Sequence, residues 1–156
     1  MKKTLKKVMG LALAFCMAAV MLCGGLAEVQ AAKYKKSFTK DINITGALLQ
    51  MTIDAKKEAD VTVTISTKSK AENLQLNAKM WYADGSDQTG VSLKKGDKKG
   101  SFKIHLKKGN SILYIENFTY DPKTYEPKSV KVKIKVSTKD GKVLRYGGKE
   151  IMEDVG

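Results

Sequence analysis

From Val61 onward the chain alternates apolar and polar residues with a period of two. Val61, Val63 and Ile65 alternate with Thr62, Thr64 and Ser66. Leu74, Leu76, Ala78, Met80 and Tyr82 alternate with Gln75, Asn77, Lys79 and Trp81. Phe102, Ile104 and Leu106 alternate with Lys103 and His105, and Val130, Val132, Ile134 and Val136 with Lys131, Lys133, Lys135 and Ser137. Successive side chains of a strand point to opposite faces, so each segment is expected to bury one face and wet the other. Residues 47–54 and 111–117 add two more strands, and 35–44 and 142–146 are candidates for edge strands.

Turn-formers punctuate these segments: Asp84-Gly85-Ser86, Lys95-Gly96-Asp97, Lys108-Gly109-Asn110 and Lys139-Asp140-Gly141. The third joins its strands closely enough for a hairpin. Residues 119–129 hold both prolines, Pro122 and Pro127, and form the longest irregular piece. After the N-terminal leader no long stretch has helical spacing. The pattern therefore predicts an all-β fold, an antiparallel β-sandwich of seven to eight strands, jelly-roll-like, over residues 32–146. Val61, Val63, Ile65, Leu76, Met80, Phe102, Ile104, Leu106, Val132, Ile134 and Val136 are its expected core. Residues 147–156 are expected to form a polar tail.

The first 31 residues follow another logic. Lys2, Lys3, Lys6 and Lys7 precede an apolar run from Val8 to Cys23. Gly24 and Gly25 follow, and then a small-residue exit at Val29-Gln30-Ala31. That order is a signal peptide cleaved near Ala31, which would leave no stable membrane anchor. An uncleaved spanning helix is the alternative its length allows. The expected product is secreted or held at the extracellular cell surface. Both cysteines, Cys16 and Cys23, lie in this leader, so the remainder has no disulfide, thiolate nucleophile or cysteine metal site. A small exported domain without cysteine points to a bacterial source.

Charge narrows the partners. The chain carries 29 basic and 16 acidic residues, and Arg145 is the only arginine. Lysine is a point charge rather than a base-reading fork, so nucleic acid is not an expected partner. A lysine field suits anionic polymers, or simply solubility.

Gly100-Ser-Phe-Lys-Ile-His-Leu-Lys-Lys-Gly-Asn-Ser-Ile-Leu-Tyr-Ile115 is a strand, a Leu-x-x-Gly turn and a second strand. It resembles the penultimate hairpin of bacterial pre-peptidase C-terminal domains and of carbohydrate-binding jelly-roll modules. The order of the neighbouring segments from Ile53 to Ser137 is similar too. The resemblance implies a β-sandwich binding module of a secreted protein. Acidic residues that often mark the pre-peptidase type are replaced here by Asn73-Leu-Gln-Leu-Asn-Ala-Lys79, which counts against calcium at that strand.

Candidate chemistry is sparse. By alternation Trp81 falls on the polar face of its strand with Gln75, Asn77 and Lys79. An indole among amides suits a sugar, because apolar sugar faces stack on the ring while amides bond hydroxyls. Alternatively the loop 119–129, with Tyr120 and Tyr125, covers Trp81 and makes a second small core. Lys131, Lys133 and Lys135 form a stripe that would hold an anionic wall polymer, or would guard a sheet edge. His105, the only histidine, is expected on a wet face where Lys103 and Lys107 disfavour its protonation. Asp84-Gly-Ser-Asp87 lacks the dense acidic alternation of a calcium loop and reads as a turn. No nucleophile elbow, phosphate loop or zinc signature is present. The expectation is a non-catalytic module for glycan or anionic cell-wall polymer, without metal or cofactor. The alternative is a structural or protein-interaction subunit of the bacterial envelope.

Overall fold

The computed structural model describes residues 33–81 and 88–153. The leader over 1–31, Tyr82 and the Asp84–Asp87 turn lie outside them. The strands are β1 (Ser37–Ile44), β2 (Leu48–Ala55), β3 (Ala59–Thr67), β4 (Gln75–Trp81), β5 (Gln88–Lys94), β6 (Lys99–Leu106), β7 (Gly109–Asn117), β8 (Val130–Thr138) and β9 (Leu144–Met152).

They form two antiparallel sheets, β1-β8-β3-β6 and β5-β4-β7-β2-β9. The pairing is nested: β1 with β8, β2 with β7, β3 with β6 and β4 with β5. One long antiparallel hairpin, centred between β4 and β5 and rolled into two layers, is the jelly-roll arrangement. The last strand, β9, is added beside β2.

The alternation decides which faces meet. All eleven expected core residues are buried, and Ile44, Leu49, Met51, Ile53, Leu113 and Ile115 join them between the sheets. Each such side chain contributes about 1.5–3 kcal/mol when fully buried. At one open side Phe38 meets Tyr146 edge-on, with ring centroids 6.0 Å apart, and the Lys40 ammonium sits 4.1 Å from the Tyr146 ring centre. Nearby, Asp54 accepts hydrogen bonds from Tyr34 Oη at 2.9 Å and from Arg145 Nε at 2.9 Å. This nearly buried carboxylate ties the start of the described chain to β2 and β9.

Three features differ from the sequence expectation. A ninth strand appears, because Val91 and Leu93 supply a short alternation that the turn-forming neighbourhood hides. The last strand runs past Tyr146 to Met152 rather than giving way to a tail at Gly147. Its glycines read as a breaker, yet they make a bulge where the β2–β9 register shifts between Thr52 and Ile53. Gly148 has φ +124°, which favours glycine, and a Cβ on Gly147 would fall 2.8 Å from Thr52 Cγ2 and have to displace that side chain. Finally, the lysine-bearing β8 is an interior strand paired with β1 and β3, so Lys131, Lys133 and Lys135 guard no edge.

Candidate ligand-binding faces

The outer face of the five-stranded sheet is assembled by register. On β4 the outward residues are Gln75, Asn77, Lys79 and Trp81, between buried Leu76, Ala78 and Met80. The β4–β7 register sets Asn77 opposite Glu116, Lys79 opposite Tyr114 and Trp81 opposite Ile112. The next strand adds Gln50 opposite Tyr114 and Thr52 opposite Ile112. Trp81 is 45% exposed. Its ring meets Tyr114 edge-on, with centroids 6.5 Å apart and planes at 62°. Lys79 and Glu116 form an ion pair across the strands, both largely shielded from water. The face thus offers an aromatic corner, a self-neutralised charge pair and a row of amides and hydroxyls.

The loop over 119–129 does not cover Trp81. Phe118 N donates to Gln75 O at 2.9 Å, and Asn73 Nδ2 donates to Tyr120 O at 2.6 Å. Both bonds place the loop at the Gln75 end of β4. Trp81 stands six residues further along, about 20 Å at the usual strand rise.

That loop is itself tightly built. Asn117 is 3% exposed. Its amide donates to Gly46 O at 3.1 Å and Lys128 O at 3.0 Å, and its carbonyl accepts from Thr119 N at 3.1 Å. Lys128 N donates to Thr119 O and Asp121 N to Glu126 O, while Tyr120 bridges Pro127. On this frame Phe118, Tyr120 and Tyr125 are all exposed. The two tyrosine rings lie 12° from parallel with centroids 6.1 Å apart. Among the described residues Tyr125 is the one non-glycine with positive φ, at 61°.

The opposite, four-stranded sheet presents another surface. Lys131, Lys133 and Lys135 point outward beside Asn43, Asp41 and Thr39 of β1 and Ser66 and Thr64 of β3. Lys133 reaches Asp41 at 3.7 Å. At one end Lys68, Lys70 and Lys98 line a groove with Lys131 and Lys133. The two faces are therefore chemically distinct, and Lys131, Lys133 and Lys135 do not share a site with Trp81.

His105 departs from its expected environment. Its cross-strand partner is Asp60, whose Oδ1 lies 2.8 Å from Nδ1, and Glu58 Oε2 lies 3.9 Å from Nε2. The hydrogen bond to Asp60 outweighs partial desolvation and, with the charges of Asp60, Glu58 and Asp140, raises its pKa above the ordinary 6.5. A raised folded-state pKa stabilises the fold below the unfolded pKa, and that contribution is lost as pH rises through the folded value. Both partners face water, so the contribution is small. An NMR titration should place the His105 midpoint above 6.5, and Asp60→Asn should bring it down. A wild-type midpoint at or below 6.5 would contradict the pairing. Among the described residues no three His, Cys, Asp or Glu side chains converge to hold a metal ion.

No family model and no curated relative matches the chain. Several solved structures are similar in shape. One is a CBM35 module in complex with a glucuronic acid containing disaccharide, 22% identical, with 67% of this chain and 73% of that one covered and a TM-score of 0.48. Another is a CBM35 module from Cellvibrio japonicus, 18% identical, with 75% and 92% covered and a TM-score of 0.49. A third is the pre-peptidase C-terminal domain of a Bacillus anthracis collagenase, 10% identical, with 65% and 89% covered and a TM-score of 0.47. Both kinds of module that the hairpin around Leu106 resembles are thus among the structures similar to this chain.

Proposed function

We propose that the chain is an exported, non-catalytic binding module that takes a glycan on the outer face of its five-stranded sheet. Trp81 is the stacking platform, and Gln75, Asn77 and Lys79 are its hydrogen-bonding neighbours. One observation carries the reading: the only tryptophan is about half exposed on a face of amides and hydroxyls rather than sunk into a core. A flat indole with one apolar surface open and polar groups around it suits a ligand with apolar faces and hydroxyl edges. The leader's charge and hydrophobicity order supports export.

A second reading is favoured by the other sheet. Lys131, Lys133 and Lys135 stand on an interior strand. Edge protection therefore does not account for them, and the lysine face suits an anionic wall polymer. Salt separates the two. Mature protein incubated with insoluble neutral polysaccharides and with wall fractions should be retained on a neutral glycan, and retention should persist at high salt. Retention that disappears with salt would transfer the function to the lysine face. No retention on any of them would leave a protein partner on the Trp81 face as the better account.

A further inference from the structure

We propose that the ledge formed by Phe118, Tyr120 and Tyr125 is a second carbohydrate subsite in line with Trp81. The face would then take an extended, uncharged glycan chain rather than a single sugar or a chain end. This inference rests on the reading that the Trp81 face binds glycan.

Collinearity is the first reason. Phe118 N bonds Gln75 O, which continues the β7–β4 ladder one pair past Leu76 and Asn117. Residues opposite one another share a face, so Phe118 stands on the outer face with Gln75. The outward row on β7 then runs Ile112, Tyr114, Glu116, Phe118, with Tyr120 next along the chain. Ile112 lies opposite Trp81. From there to Phe118 is about 20 Å by strand rise, several sugar rings long, with Tyr120 beyond it. Aromatic rings stand at both ends of this track.

The middle of the track sets the ligand class. Between the aromatic ends lie Gln75, Asn77 and the Lys79–Glu116 pair. The two charges answer each other, and the flanking strands add one of each sign, Lys94 opposite Gln75 and Glu150 opposite Gln50, so the charges of the face balance. An apolar helix would leave these amides unpaired, and a polyanion would find no excess of positive charge to hold it. A hydroxyl-rich neutral chain satisfies both the rings and the amides.

The ledge is also built in advance. The buried Asn117 fastens both ends of the loop, and Asn73 holds Tyr120 from β4's side. Little mobility remains to be lost on binding. Tyr125 adds a further sign. It holds φ 61°, a left-handed conformation that glycine adopts freely, and the residue is 79% exposed. Its described ring contact is the stack on Tyr120, so burial in the core does not explain a tyrosine there. Beside the rings a shallow recess of about 310 Å³ opens against Ala47, Asn117 and Pro127.

Calorimetry with cello-, xylo-, manno- and chito-oligosaccharides, from disaccharide to hexasaccharide, tests the proposal. For the series that binds, wild-type affinity should rise about tenfold or more from the shortest to the longest chain. Tyr120→Ala and Tyr125→Gly should abolish that rise while leaving short-chain binding and its dependence on Trp81 in place. Tyr125→Gly relieves the backbone, so its melting temperature should not fall. Two outcomes overturn the ledge alone: affinity that stops rising at the trisaccharide, or ledge variants that bind the hexasaccharide like wild type. In either case a continued effect of Trp81→Ala leaves the parent reading standing. If Trp81→Ala changes nothing for any chain, or no oligosaccharide binds, both fall.

Discussion

Replacing Ile115 with alanine is expected to destabilise the domain by about 2–5 kcal/mol, toward the upper end of that range. Ile115 is fully buried on β7, the middle strand of the five-stranded sheet. Its cross-strand neighbours are Leu49 on one side and Ala78 on the other. The alanine neighbour has no side chain long enough to fill the void, and the facing sheet is held in register by its own ladder. The cavity therefore collapses little, which is the circumstance that makes such truncations expensive. With no cysteine after Cys23, no cross-link offsets the loss. Domains of this size hold about 5–15 kcal/mol in total, so the loss of one side chain removes a large fraction of the stability. Urea unfolding should show the midpoint fall with an unchanged slope. Lys103→Ala on the exposed face of the edge strand β6 should stay within about 0.5 kcal/mol and serves as the comparison. A loss below about 1 kcal/mol for Ile115→Ala would show that the two sheets do not close on one core.

The two-fold alternation carried most of this architecture. It named the faces of β3, β4, β6 and β8 correctly because one side of each strand is dry and the other wet, and nothing else in the sequence has that period. Register is a different quantity. Trp81 touches Tyr114 only because Lys79 pairs with Tyr114, residues 35 positions apart whose alignment is set by core packing rather than by local pattern. The same holds for His105, whose Asp60 partner lies 45 positions away and reverses the effect expected from its lysine neighbours. Strand order was equally hidden. A lysine stripe looks alike on an edge and in the middle of a solvated sheet, and only the pairing of β8 with both β1 and β3 separates them. Gly147-Gly148 misleads in the other direction, since a bulge and a breaker ask for the same residue. The ledge could have been suspected from Phe118, Tyr120 and Tyr125 in a loop with two prolines. Its alignment with Trp81 needed the Phe118–Gln75 bond.

Trp81→Ala is expected to weaken glycan binding by at least about 30-fold, or 2 kcal/mol, the loss that marks a central aromatic anchor. Its effect on stability should be slight. The side chain is about half exposed, and its described aromatic contact is the edge of Tyr114, worth about 0.5–1.5 kcal/mol. A core tryptophan would instead cost about 3–5 kcal/mol on truncation, so binding and melting temperature move in opposite patterns under the two readings. Trp81→Phe should recover part of the affinity, because a smaller ring still stacks but covers less of the sugar. Lys131→Gln, on the other sheet, should leave affinity for a neutral glycan unchanged and reduce retention only on anionic wall polymer. The combination is specific. A protein partner seated on the same face would also lose affinity with Trp81→Ala, but it would not be displaced by free oligosaccharide. Unchanged glycan affinity in Trp81→Ala, or a fall in affinity matched by a collapse in melting temperature, would remove this residue as the platform. If the binding loss instead comes with an intact fold and is competed by free oligosaccharide, the outer face of the five-stranded sheet is where this domain meets its ligand.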